Sequence, residues 1–394
     1  MSAIADKEEK MKSYIKFLLV ILTAVSILVT GCPEAKDYPA QENGANAVPF
    51  NGVFVCTTDF LGVGAAAVLS GYPPALVTNP PTELSSDPVA RYYAGLIYVI
   101  NRFGFDNIQV IVPSNNYQTI LQFSTGNGSN PQDIAFVSPS RAFISLLEDA
   151  NLLIVNPSIG NILGTINLAA FADPDGIPDA AKMVIVGDRL FVALQRLAFF
   201  TPTDKSTIAV INVTTGTVVT SVDLATTSPV TDLIFNPANN KIYVGCSGKW
   251  KSIPPAWGGD LADDGAIETI SIDIVNDVYA ADGVLIPESA LGGDVGSLVL
   301  AAPNKAYAIV TDAGGFNHLV KFDPSNPLAG AVRLWSSASY VPDIALFGTY
   351  LLIADGGFNN PDPGVWLWDT VADKHAVTTH VDVGLPPANF AVMK

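Results

Sequence analysis

A short apolar strand with an aromatic residue or leucine at its centre recurs along this chain. It reads Val53-Phe54-Val55, Ile97-Tyr98-Val99, Ala142-Phe143-Ile144, Leu190-Phe191-Val192, Ile242-Tyr243-Val244, Ala306-Tyr307-Ala308 and Tyr350-Leu351-Leu352. Successive centres lie 44, 45, 48, 52, 64 and 44 residues apart. A period near 40–50 built from short strands is the mark of a propeller with one four-stranded blade per repeat. No stretch after residue 50 carries a long helical pattern.

The other strands fall around this marker. A strand after it ends in an Asn or Asp turn, as in Val210-Ile211-Asn212-Val213-Thr214-Thr215-Gly216 and Val320-Lys321-Phe322-Asp323-Pro324, where the side chain caps the backbone and closes a hairpin. An inner strand precedes most markers, as in Asp133-Ile134-Ala135-Phe136 and Asp232-Leu233-Ile234-Phe235. The first marker, at Phe54, has none, whereas the chain ends in a surplus inner strand, Pro387-Ala388-Asn389-Phe390-Ala391-Val392. Pairing that strand with the N-terminal three closes the ring and removes an exposed sheet edge. The expected fold is all-β: a seven-bladed β-propeller of four-stranded blades over residues 50–394, closed by its C-terminal strand.

The run Ile97-Tyr98-Val99-Ile100-Asn101-Arg102, with Asp106-Asn107-Ile108-Gln109-Val110 and Pro131-Gln132-Asp133-Ile134-Ala135, resembles the YVTN-type seven-bladed propellers. The resemblance covers about residues 50–394 and implies fold, since propellers carry many unrelated activities. Blades five and six depart from it through longer insertions.

The first fifty residues read differently. Lys10, Lys12 and Lys16 precede a 13-residue apolar run from Phe17 to Val29. That is short of the roughly 20 residues a spanning helix needs and matches the roughly 7–15 of a signal-peptide core. Leu28-Val29-Thr30-Gly31-Cys32 follows directly and resembles the lipobox of bacterial lipoproteins. The resemblance implies a signal peptide over residues 1–31 and a diacylglyceryl thioether on Cys32, which becomes the mature N-terminus. Residues 32–49 then form a lipidated flexible tether, rich in Ala, Pro and Asn. Met11-Lys12 is a second plausible start. Pro33 offers no acidic inner-membrane retention signal, so attachment to the outer membrane, on either face, is the expectation.

With 20 basic against 37 acidic residues the net charge is −17, which argues against a nucleic-acid partner. The three histidines all lie after residue 317, leaving little for a histidine-rich metal site. Catalytic signatures are absent: there is no Gly-x-Ser-x-Gly elbow, phosphate loop or haem-attachment motif. Cys56 and Cys246 fall in non-adjacent blades and are expected to be free, buried thiols.

Three features fall on the face shared by the loops entering the inner strands and those leaving the markers. Aligning the repeats puts Arg91, Asp133, Lys182, Asp232, Ser297, Asp343 and Asn389 at the start of the inner strands, one per blade. They are read either as capping and neutralising one another or as a ring holding a small polar ligand or cation at the channel mouth. The blade-five insertion, Cys246 to Ala266, carries Lys249, Trp250, Lys251 and Trp257, read as a partner-binding loop or as a lid. Asp173-Pro174-Asp175-Gly176-Ile177-Pro178-Asp179 is read as an ordinary turn, with a partial Ca2+ loop through Asp173, Asp175 and Asp179 as the second reading. The stretches Asp312–Asn317 and Asp355–Asn359 read as turns with a tucked aromatic.

The leading functional expectation is a lipid-anchored, monomeric, non-enzymatic propeller that binds a protein or an extracellular polymer such as a polysaccharide. The alternative is a calcium-dependent propeller hydrolase or lactonase whose ion is held by Asp133, Asp232, Asp343 and Asn389. Arg91 and Lys182 in the same ring speak against it, because they repel a divalent ion. A quinone-cofactor dehydrogenase ranks third.

Overall fold

The computed structural model describes residues 51–394 apart from 199–200, 203–204, 228, 250, 254–255, 259–263 and 358–359. These form seven antiparallel four-stranded blades in a ring, a seven-bladed β-propeller. Every marker strand is the second strand of its blade. The signal run, Cys32 and the tether lie outside the described residues.

Blade one joins Pro387–Met393 to Gly52–Thr58, Gly64–Ser70 and Leu76–Thr78, and a short piece, Glu83–Leu84, adds to its third strand. The closing pair is antiparallel, with Phe54 opposite Ala391 and Cys56 opposite Asn389. The surplus C-terminal strand is therefore the inner strand of the N-terminal blade, as expected. Blade two starts at Pro88–Tyr93, three at Pro131–Ser138, four at Ala180–Val186, five at Val230–Asn236, six at Asp294–Ala302 and seven at Ile344–Phe347. Inner strands of successive blades touch all the way round, including the last with the first.

Period-two alternation explains why the marker strands are apolar on both faces. Ile97 and Val99 pack towards Phe54 and Cys56 of blade one, while Tyr98 and Ile100 pack towards Ala142 and Ile144 of blade three. The core is thus seven apolar clusters, one at each blade junction. The second strand of blade one is buried throughout, whereas the outer strand of blade three, Asn161–Asn167, is mostly exposed.

The Asx turns read from the sequence are present. Asn212 Oδ1 accepts the amides of Thr214 and Thr215 at 2.9 and 3.0 Å, and Asp323 Oδ1 accepts that of Ser325 at 2.8 Å. Outside the sheets a second fastening crosses the seam between blades one and seven. Tyr72 Oη lies 2.8 Å from Thr349 Oγ1 and accepts the Thr349 amide at 3.1 Å. The Tyr72 ring stands edge-on to Tyr350. Cys56 and Cys246 are free and fully buried, as expected, and burial pushes the Cys246 thiol up to about 12.

Candidate functional site

The inner-strand residues do two jobs. Five of them reach across a blade junction and accept a backbone amide from the next inner strand. Asn389 Oδ1 takes Ala90 N–H at 2.8 Å, Asp133 Oδ2 takes Met183 N–H at 3.1 Å and Asp232 Oδ2 takes Leu298 N–H at 3.1 Å. Ser297 Oγ takes Ile344 N–H at 3.3 Å and Asp343 Oδ2 takes Phe390 N–H at 2.9 Å. A buried amide left without a partner costs about 1–3 kcal/mol, so these clasps hold the blade junctions shut. The capping role foreseen for these carboxylates is what the hydrogen bonds display.

The register corrects one residue of that ring. Tyr98 faces Arg91, whereas the equivalent Phe143 faces Ala135, two residues beyond Asp133. The position in blade two matching Asp133 is therefore Val89, and Arg91 lies two residues further along the same face. Arg91 still belongs to the group, because its Nε donates to Asp133 Oδ1 at 2.9 Å. Burial works against its guanidinium charge, but Asp133, with Asp343 and Asp232 behind it, holds its pKa above the ordinary value. Val89 and Lys182 cannot accept an amide, and at those two junctions the next aspartate serves its own chain. Ile134 N–H donates to Asp133 Oδ1 and Leu233 N–H to Asp232 Oδ1.

Above the clasps a cavity of about 500 Å³ opens at the channel mouth, lined from all seven blades. Lys182, Ser297, Asp343 and Asn389 of the predicted ring line it, with Arg102, Gln132 and Tyr340 among the added residues. Asp343 is the most perturbed carboxylate there. Burial pushes it up to about 6 against the pull of Lys182 and of the Phe390 amide. Its oxygens also accept Ser297 Oγ at 3.1 Å and Asn389 Nδ2 at 2.8 Å. Arg102 bridges Asp87 and Gln132 through its two terminal nitrogens, while its buried Nε has no hydrogen-bond partner. Lys182 makes no hydrogen bond or ion pair among the described residues; it acts on Asp343 through its field alone.

The loops over blades six, seven, one and two make an apolar rim that sequence reasoning missed. Leu61, Val63, Phe103, Phe105, Phe316 and Tyr340 are 43–77 % exposed. Phe316 is 48 % exposed rather than tucked, and Phe358 lies outside the described residues. The signal in the sequence was an aromatic on either side of a turn glycine, as in Phe103-Gly104-Phe105.

The other candidates fare unevenly. Asp173 Oδ1 accepts Asp175 N–H, Asp175 Oδ1 accepts Ile177 N–H, and Asp179 Oδ2 accepts Leu197 N–H. Asp173 and Asp175 cap turns, and Asp179 ties its loop to the segment at Leu197. No group of three or more potential ligand side chains able to hold a metal occurs among the described residues, either in this loop or around Asp133, Asp232 and Asp343. Burial, with Asp173, Asp175 and Glu148 nearby, raises Asp179 to about 7 against the Leu197 amide. In the blade-five insertion Lys249 is exposed and its amide donates to Asp264 Oδ1. Trp250 lies outside the described residues, and Trp257 falls on a small hairpin of Lys251–Ile253 with Ala256–Gly258.

A serine–histidine–aspartate chain also exists that the sequence reading did not foresee. His318 Nδ1 lies 2.8 Å from Ser336 Oγ, and its Nε2 lies 2.9 Å from Asp312 Oδ2. Ser336 is the direct cross-strand partner of His318, and the amides of Gly314 and Phe316 both go to Asp312 Oδ1. Those two amides hold the aspartate in place. The chain pins the turn carrying Phe316 to the outer strand.

The molecule is thus a seven-bladed propeller with a clasped ring of inner strands and a charged channel mouth. No family model and no curated protein matches the sequence. Among solved structures, it is similar to a putative 6-phosphogluconolactonase from Bacteroides fragilis (TM-score 0.63, 12 % identity, covering 89 % of this chain and 100 % of that one). It is also similar to hydrazine synthase from Kuenenia stuttgartiensis (0.53, 12 %, 87 % and 99 %). A third similarity is to a dihydro-heme d1 dehydrogenase (0.52, 13 %, 89 % and 77 %). At such identities the likeness carries the fold alone.

Proposed function

We propose that this chain is a lipid-anchored cell-envelope propeller, held to the outer membrane through Cys32, that binds a protein or extracellular polymer with its channel-mouth face. The observation that carries the binding half is the 500 Å³ cavity lined by Phe60, Arg102 and Tyr340, with exposed Leu61, Phe103 and Phe105 next along the same loops. Exposed apolar groups rimming a polar hollow are what a recognition face presents. The lipobox-like Leu28–Cys32 segment supports the anchoring half. The calcium-dependent hydrolase reading gains no support: Asp133, Asp232 and Asp343 each hold a backbone amide of the next inner strand, and no cluster of three potential ligands occurs among the described residues.

Two measurements test this. Metabolic labelling with a tagged palmitate should mark the full chain and fail on Cys32→Ser. Capture from envelope extracts, scored separately for protein and polysaccharide, should fall at least several-fold for Phe103→Ser/Phe105→Ser. Equal labelling of Cys32→Ser sinks the anchor, and equal capture sinks the face.

A further inference from the structure

We infer that the group entering the channel mouth is a single carboxylate carried on an apolar body, with Lys182 receiving the charge and the rim receiving the body. This rests on the reading of the channel mouth as a binding site and names the chemistry that fits it.

The argument is a count of hydrogen-bonding capacity. Every carboxylate in the channel is engaged: Asp133 by Arg91 and two amides, Asp232 by two amides, and Asp343 by Ser297, Asn389 and the Phe390 amide. The donors are not. Lys182 has no hydrogen-bonding partner among the described residues, and Arg102 Nε is buried without one. A half-buried ammonium lining a cavity gains most from a charge-assisted hydrogen bond to an anion.

The charge of that anion is bounded by its neighbours. Arg91, Arg102 and Lys182 stand with Asp87, Asp133, Asp232 and Asp343 in and beneath the cavity, so these groups sum to −1 with all four carboxylates ionised. That field opposes every added negative charge, and the Lys182 ammonium, unpaired among the described residues, can offset one; a second charge would be left without a counter-charge. Tyr340 lines the cavity, and the exposed Phe103 and Phe105 lie on the loop that follows Arg102, another lining residue, so apolar surface is available at the same mouth. The elevated pKa of Asp343 supports the same picture, because its protonation removes one of the negative charges lining the cavity.

A free organic acid and the C-terminal end of a polypeptide present the same chemistry, and the test separates them. The full chain in lipid nanodiscs is titrated calorimetrically with 3-phenylpropionate and with acetyl-Gly-Leu-Phe, each against its amide and against empty nanodiscs. Either acid should bind about tenfold or more tightly than its amide, the size of one charge-assisted hydrogen bond. Lys182→Gln should abolish that preference and Lys182→Arg retain it. The melting temperature of Lys182→Gln should not change, since no hydrogen bond of the fold is lost. Tighter binding of the peptide acid identifies a chain end; binding of phenylpropionate alone identifies a small acid. Equal affinity for acid and amide, an undiminished preference in Lys182→Gln, no heat with any probe, or inorganic phosphate competing as well as the acids each overturns the inference. If capture from envelope extracts persists while the acids fail, only this inference falls and the binding face stands.

Discussion

Asn389, in the closing strand, accepts the backbone amide of Ala90 at 2.8 Å, joining positions 299 residues apart. Together with Asp343, which accepts Asn389 Nδ2 and the Phe390 amide, it fastens the last strand to its neighbours on both sides.

Asn389→Ala leaves the Ala90 amide buried and unpaired. We expect a loss of about 1–3 kcal/mol in urea unfolding. Asn389→Asp, which keeps the acceptor, should recover part of it at pH 8. A variant as stable as the parent would show that the clasp is not stabilising.

Ending the chain before Pro387 removes the inner strand of blade one and exposes the edge of Gly52–Thr58. A bare edge with a fully buried apolar sequence invites association. Size-exclusion chromatography should show aggregates rather than a folded monomer.

Asp179 gives a pH signature. Its folded pKa, about 7, lies above the ordinary value of 3.8. The folded state therefore holds the proton more tightly, and stability declines as pH rises from about 4 through 7. Asn at 179 carries no such loss, accepts the Leu197 amide equally well and tolerates the positive φ of 54°. Asp179→Asn should melt higher than the parent at pH 8, with the difference vanishing near pH 4.

The two buried thiols should be inert. In Cys32→Ser protein at pH 8, Cys56 and Cys246 should escape a disulfide reagent while the ring is folded and both react in denaturant. Fast labelling of Cys246 in native protein would show that blade five opens locally.

The architecture was legible because its signal is repeated and physical. Residues such as Tyr98, Phe143 and Phe191 are centres of strands packed on both faces, so they recur as apolar runs at blade spacing. The closing strand was legible from strand counting alone. The site was less so. Arg91 was placed two residues out of register because Val89, at the matching position, is apolar and an alignment of polar residues passes over it. Capping was foreseen for the ring, but not which amide each side chain takes, because the clasps join a side chain to a backbone amide in another blade and an amide carries no sequence signature. The rim was missed because Phe103, Phe105 and Phe316 sit in short turns, where exposure depends on the neighbouring loops rather than on local pattern.

The pairing of residues 387–393 with residues 52–57 also sets an order of events. A chain made from its N-terminus must hold three strands of blade one without their innermost partner until residues 387–393 emerge. Six blades can pair within themselves before that moment, yet none can be locked into a circle. Residues 387–393 are therefore the closing piece of the circle, and a chain in which they have not paired with residues 52–57 carries an open seam.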